Sequence, residues 1–100
     1  MKSTNNYDED DFIYLASKFK VLSEPSRLKI LSFLSKGEKC VSEITDALNL
    51  SQSNISKQLK ILTSNEIIKF QPRGLQRYYL ISDKEIMKLC NMICKNRSKE

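Results

Sequence analysis

VSEITDALNLSQSNISKQLKIL, residues 41–62, carries two helical patterns separated by a break. Val41, Ile44 and Leu48 recur at helical spacing and predict a short helix. Asn49 stands where the chain must turn sharply, and Asn is the residue after Gly that best tolerates a left-handed backbone. Leu50 returns to the core, Ser51 is able to cap a second helix, and Ile55, Leu59 and Leu62 line its buried face at i, i+4 and i+7. Two short helices joined by a tight turn result. With the apolar stripe of the second turned inward, Gln52, Ser53, Asn54, Ser56, Lys57 and Lys60 are left facing outward. Short polar groups suit base edges and flexible cations suit phosphates. Residues 51–54 lead, because recognition helices enter the major groove with their N-terminal end, where backbone N–H groups also favour a phosphate.

Beyond Asn65 the period changes to two. Ile68, Phe70 and the run from Leu75 to Ile81, with Tyr78 and Tyr79, have the apolar and aromatic content of strands, and Pro72-Arg73-Gly74 is a turn sequence. A β-hairpin over 66–81 is predicted, its tip carrying Lys69, Arg73, Gln76 and Arg77, with no acid between Glu66 and Asp83. Such a tip can follow the backbone or reach a minor groove, where Arg is favoured. Ser82-Asp83-Lys84-Glu85 reads as a capping box opening a last helix with Ile86, Leu89, Cys90, Ile93 and Cys94.

Toward the N-terminus, residues 1–10 read as a flexible polar arm. Asp8 to Asp11 place negative charge at a helix start, and Phe12, Leu15, Ala16 and Phe19 predict a helix over about Asp8–Lys20 whose apolar face suits a dimer contact or the core. Ser23-Glu24-Pro25 reads as the next helix start, with Ser23 as cap and proline in the first turn. Leu28, Leu31 and Leu34, widened by Ile30 and Phe33, form its core stripe until Gly37 stops it. The order α-α-α-α-β-β-α is that of a winged helix-turn-helix, mostly α with a small β-hairpin. It occupies residues 11–96 as one DNA-binding and dimerisation domain, with 97–100 frayed.

Composition supports this reading. A chain of 100 residues with 40% apolar content fills one modest core, and a dimer interface would add to it. Residues 1–50 carry a net charge of −1 and residues 51–100 a net of +6, so the basic half holds the helix and hairpin just described. A basic surface alone also suits acidic proteins or membranes; helix and hairpin together select double-stranded DNA. No stretch approaches the roughly 20 apolar residues of a membrane span, and no apolar leader opens the chain, so a soluble, cytoplasmic protein is expected. The sequence has no histidine and only two glycines. Imidazole catalysis and a glycine-rich phosphate cradle are thereby excluded, no enzyme, cofactor or metal is expected, and Cys40, Cys90 and Cys94 are core thiols or sensors rather than a disulfide framework. Two rivals stay open: a winged-helix protein-interaction module without DNA specificity, which would show apolar residues on the recognition face, and an RNA binder, which would need stacking aromatics on an open surface.

Leu22-Ser-Glu-Pro-Ser-Arg-Leu-Lys-Ile-Leu31, the 41–59 segment, Arg73-Gly and Tyr78-Tyr-Leu together resemble the ArsR/SmtB family of repressors, over about residues 12–95. The resemblance implies a homodimer built by the first and last helices, two recognition helices on an imperfect palindrome, and release by an inducer. The family's zinc and nickel sensors use Asp and His pairs on the last helices; here Asp83 is kept, while Glu85 and Lys95 stand where histidines would be. Its arsenic and cadmium sensors use Cys-x-Cys at the third helix; here Cys40-Val41-Ser42 keeps only the first thiol, and a metalloid site would need Cys90 and Cys94. Its persulfide and redox sensors pair a cysteine beside the third helix with one near the end of the last; Cys40 fits the first position and Cys94 lies about one turn before the second, so the candidate regulatory thiols are Cys40, Cys94 and Cys90. Lys39 and a nearby helix N-terminus would activate Cys40. The inducer itself is not readable.

Overall fold

The structure, a computed structural model, describes residues 6–97. The chain runs α1 (Glu9–Leu22), α2 (Pro25–Leu34), β1 (Lys39–Cys40), α3 (Val41–Leu48), α4 (Gln52–Ser64), β2 (Ile68–Arg73), β3 (Gln76–Ile81) and α5 (Lys84–Lys95). This is the expected winged helix-turn-helix with one addition, the two-residue strand β1. The strands pair antiparallel in the order β1-β3-β2, with Cys40 opposite Tyr78 and Phe70 opposite Tyr79. Of the expected flexible ends, residues 1–5 and 98–100 lie outside the described residues. Helix α1 begins at Glu9, beside the expected start, with Asp8 as its cap: Asp8 accepts from the Asp11 N–H and Asp11 returns the bond. No helix among the described residues is long and apolar enough to cross a membrane.

The core lies where α2, α3 and α4 meet the sheet. Ile30, Ile44, Ile55, Leu62 and Ile67 have no exposed surface, and Leu31, Leu59 and Ile68 have almost none. Each such side chain contributes roughly 1.5–3 kcal/mol by leaving water. The reversal between α3 and α4 falls on Asn49, whose φ of 54° and ψ of 42° are left-handed, as its residue type predicts. Ser51 caps α4 by accepting from the Asn54 N–H at 3.1 Å. Glu66 also has a positive φ, 60°, at the turn that sends the chain from α4 into β2.

Several boundaries differ from the sequence reading, for local reasons. Glu24, not Ser23, caps α2: the residue before Pro25 is held extended, and its carboxylate accepts from the Ser26 N–H at 2.8 Å. Ser23 instead closes α1 by donating to the Lys20 carbonyl. Asp83, not Ser82, caps α5, because Ser82 is engaged with the Glu66 carbonyl. Helix α2 stops at Leu34, before Gly37, whose N–H bonds back to the Leu34 carbonyl and whose φ of 135° needs a glycine. In the hairpin, Arg73 pairs with Gln76, so the turn is Gly74-Leu75 and Pro72 lies within β2. Proline is tolerated there because β2 is an edge strand, and a positive φ at Gly74 alone follows the two-residue hairpin turn with Gly first. Leu75, expected to be a strand residue, is fully exposed at the tip.

Helices α1 and α5 are the apolar surplus. Phe12, Leu15 and Phe19, expected to face a core or a partner, are 52%, 40% and 54% exposed, and only Val21 of α1 is buried. On α5, Ile86 is buried while Met92 and Ile93 are open. Leu28 is likewise exposed.

Asn49→Gly is expected to keep or slightly raise stability, whereas Asn49→Val, β-branched at a left-handed position, loses about 1–2 kcal/mol; urea midpoints of the two variants check this. The carboxyls of Glu24 and Glu43 are held below the ordinary carboxylate range, first by the backbone N–H groups of Ser26 and Cys40 that they accept. A carboxyl with a lowered folded pKa adds stability above its unfolded pKa and loses it as pH falls through the folded value. The Glu24→Gln/Glu43→Gln double variant is therefore expected to lose less of its stability between neutral and acidic pH than the native chain, read as thermal midpoints across that range.

Candidate nucleic-acid interface

The outward face of α4 is polar, as expected. Gln52, Ser53, Ser56, Lys57 and Lys60 are exposed, while Ile55, Leu59 and Leu62 are buried beneath them. Asn54 departs from the expected outward set: it is half-buried, and its Oδ1 accepts from Gln58 Nε2 at 2.9 Å. Gln58, on the inner side of the helix and 6% exposed, was not legible as part of the site; only its one-turn spacing from Asn54 hinted at contact. Its Oε1 accepts from the Arg27 guanidinium at 3.0 Å. Ser51 is occupied as a cap, and its Oγ lies 3.3 Å from that of Ser53.

The hairpin carries its cations on aromatic faces. The Arg77 guanidinium lies 4.5 Å from the Phe70 ring centroid, and that of Arg73 lies 4.9 Å from the Tyr78 ring. Such contacts hold a guanidinium in place at about 0.5–1 kcal/mol when exposed. Arg73 is also ion-paired with Glu38, from the loop before β1, so its charge is partly neutralised. That pair is solvated and adds at most about 1 kcal/mol. The side chains of Lys69 and Gln76 have no hydrogen-bond or ion-pair partner among the described residues. Between α4 and the hairpin runs a cleft of about 510 Å³, lined by Ser56, Lys60, Thr63, Phe70, Arg77 and Tyr79. It brings Ser56, Lys60 and Arg77 together. The Thr63 hydroxyl oxygen is buried with no hydrogen-bond partner there.

Residues 24–69, from the cap of α2 into β2, match the family described as bacterial regulatory protein, arsR family. An arsenical resistance operon repressor of Bacillus subtilis is 36% identical over 70 residues, covering 69% of this chain and 67% of that protein. The chain belongs to the ArsR family. A transcriptional repressor SmtB homolog of Synechocystis is 37% identical over 75 residues, 75% of this ArsR-family chain, which spans 57% of that relative's length. Its fold matches the solution structure of the homodimeric winged helix-turn-helix DNA-binding domain (fragment 1–100) of a possible ArsR-family transcriptional regulator from Mycobacterium bovis. The TM-score is 0.76 at 25% identity, covering 91% of this chain and 86% of that one. Both of these relatives are repressors.

The three thiols of this ArsR-family chain fall into two places. Cys40 is buried, 4% exposed, at the α3 cap, with its Sγ 3.2 Å from the Ser42 hydroxyl. The neighbouring Lys39 ammonium lies over the Phe33 ring, 5.1 Å from the centroid. Cys90 and Cys94 line a separate apolar cavity of about 410 Å³ between α1, α2 and α5, with Phe19, Leu28 and Leu31. Burial, and next the neighbouring Cys94, push the Cys90 thiol up, away from the reactive thiolate. Cys94 is exposed. Among the described residues no group of three Cys, Asp or Glu side chains converges to hold a metal ion. Native-state labelling with a thiol-specific disulfide reagent is expected to modify Cys94 first and Cys90 more slowly, and to reach Cys40 only after denaturant is added. Labelling of Cys40 at the rate of Cys94 would contradict the burial seen here.

Proposed function

We propose that this ArsR-family protein binds double-stranded DNA as a homodimer and represses transcription, with α4 in the major groove and the hairpin as a wing along the backbone. The observation that carries the reading is the polar and basic face of α4 joined to the wing by the cleft that Ser56, Lys60 and Arg77 share. Gln52, Ser53, Ser56, Lys57 and Lys60 are exposed on α4, and Lys69, Gln76 and Arg77 on the hairpin, with no acid between Glu66 and Asp83 in the sequence. Gln52, Ser53 and Asn54, with Ser51 as their cap, serve base edges. Lys57, Lys60, Lys69, Arg73 and Arg77, with Ser56 and Gln76, serve phosphates.

Dimerisation is supported by the open apolar side chains of α1 and α5, since a soluble protein covers a large apolar patch with a partner. The Cα radius of gyration, 15.2 Å, exceeds the roughly 13 Å of a compact domain of 100 residues, as two projecting helices awaiting a partner would produce. A two-fold dimer presents its recognition helices to an imperfect palindrome with half-sites about 34 Å apart.

Cysteine chemistry releases the DNA in this reading. It rests on Cys94, exposed one helical turn from Cys90; Cys40 is less suited because it is buried. A metalloid held by thiolates is not favoured, because Cys40 does not line the cavity of the other two.

Fluorescence anisotropy with the DNA upstream of the gene tests the reading. Tight binding is expected to weaken steeply with salt, and Lys57→Ala to weaken all duplexes alike while lowering the salt slope by about 0.9. Weak and equal binding to every duplex at physiological salt would overturn it. In the same assay polysulfide is expected to release DNA from the native chain and Cys40→Ser, and not from Cys94→Ser; unchanged release in both variants rules out the thiol switch.

A further inference from the structure

Arg27, Gln58 and Asn54 form a chain of side-chain hydrogen bonds whose direction can be worked out from one end. A guanidinium carries donors only. Arg27 Nε donates to the Val21 carbonyl at 2.7 Å, and Arg27 Nη1 donates to Gln58 Oε1 at 3.0 Å. The Gln58 amide must therefore turn its oxygen toward α2 and its NH2 toward Asn54. Only an acceptor can meet that NH2, and Asn54 Oδ1 does so at 2.9 Å. Amide oxygen and nitrogen are ordinarily hard to tell apart, but here the arginine removes the ambiguity. Reversing Gln58 would set NH2 against guanidinium, and reversing Asn54 would set NH2 against NH2. Gln58 is 6% exposed, so an unpaired amide there would carry its full desolvation penalty.

Asn54 is the third residue of α4, and its backbone N–H is already given to the Ser51 hydroxyl. Its Nδ2 has no hydrogen-bond partner among the described residues. We infer that Asn54 meets DNA as a hydrogen-bond donor, with Arg27 and Gln58 as positioning residues that set base preference without touching the DNA. This rests on α4 being the recognition helix. An unconstrained Asn reads adenine with both ends of its amide. Here Oδ1 is drawn back to Gln58, so the outward NH2 selects an acceptor edge, N7 or O6 of guanine, N7 of adenine or O4 of thymine, and rejects the cytosine amino group.

The test is a panel of upstream duplexes substituted at one base pair at a time, bound by the native chain, Asn54→Asp and Gln58→Glu, with helix content and salt slope measured for each. The native chain is expected to disfavour cytosine at one position of each half-site by about tenfold. Asn54→Asp still accepts from Gln58 but offers DNA only acceptors, so its preference at that position moves to cytosine. Gln58→Glu still accepts from Arg27 but no longer donates; Asn54 then turns to give its NH2 to the carboxylate and faces DNA with Oδ1, so the preference at that position moves toward cytosine while the salt slope stays. A measurement needing no variant accompanies it: in the native protein free of DNA, the Gln58 side-chain NH2 protons exchange slowly and those of Asn54 quickly, the latter slowing when DNA binds. Equal exchange of the two amides, uniform weakening of all duplexes by Asn54→Asp, or native preference retained in Gln58→Glu overturns the inference. A native chain that prefers no duplex overturns the DNA reading itself, and this inference with it.

Discussion

Ile44 on α3 and Ile55 on α4 are both closed to solvent, and between them the chain reverses direction at a single left-handed residue, Asn49. That pairing of two buried stripes across one tight turn is the constraint on which the molecule depends. It sets the angle at which α4 leaves α3, and so which face of α4 looks outward. Ile30 and Leu31 of α2 close the core from behind, and Ile67 and Ile68 carry it into the sheet. Because the inner stripe of α4 is held by residues with almost no exposed surface, its polar face is presented as a rigid array. Rigid presentation lowers the entropy lost when a polar surface is ordered against a partner.

The wing repeats the same economy with charge. Long cationic side chains lose rotamer freedom when they bind, and Arg73 and Arg77 have given up part of it already by lying on Tyr78 and Phe70. Glu38 moderates Arg73, so of the two arginines Arg77 carries the less neutralised charge, and it shares a cleft with Lys60 and Ser56. Far from this surface the chemistry is opposite. Helices α1 and α5 leave aromatic and aliphatic side chains open, and a cavity with two of the three thiols lies at their junction with α2. A basic polar face and an apolar unpartnered one thus occupy separate parts of one small chain.

Much of this was legible in the residues. The spacing of Ile55, Leu59 and Leu62 located α4 and its outward polar face, Asn49 marked the turn, Ser51 marked the cap, and the acid-free stretch before Asp83 marked the wing. Where reading by residue type went astray, two neighbours were chemically able to do the same job. Ser23 and Glu24 can both cap, as can Ser82 and Asp83. The choice fell to whichever side chain was not already engaged elsewhere, Ser23 by the Lys20 carbonyl and Ser82 by the Glu66 carbonyl. Strand β1 is two residues long and has no period to detect; it exists because Lys39 and Cys40 lie beside β3.

Periodicity and turn chemistry are local properties, encoded within a few residues, and by themselves they determined the order of the five helices and the hairpin, the buried face of each helix in the core and the polar character of α4. Contacts between distant segments have no such local signature. The Arg27–Gln58–Asn54 chain joins residues 31 positions apart, the Glu38–Arg73 pair links the loop before β1 to the end of β2, and the separation of Cys40 from Cys90 and Cys94 depends on where α5 lies relative to α2. Only the tertiary structure decided these, because hydrogen-bond direction, ion pairing and thiol burial are set by which surfaces meet, and residues far apart in sequence meet only when the core has closed.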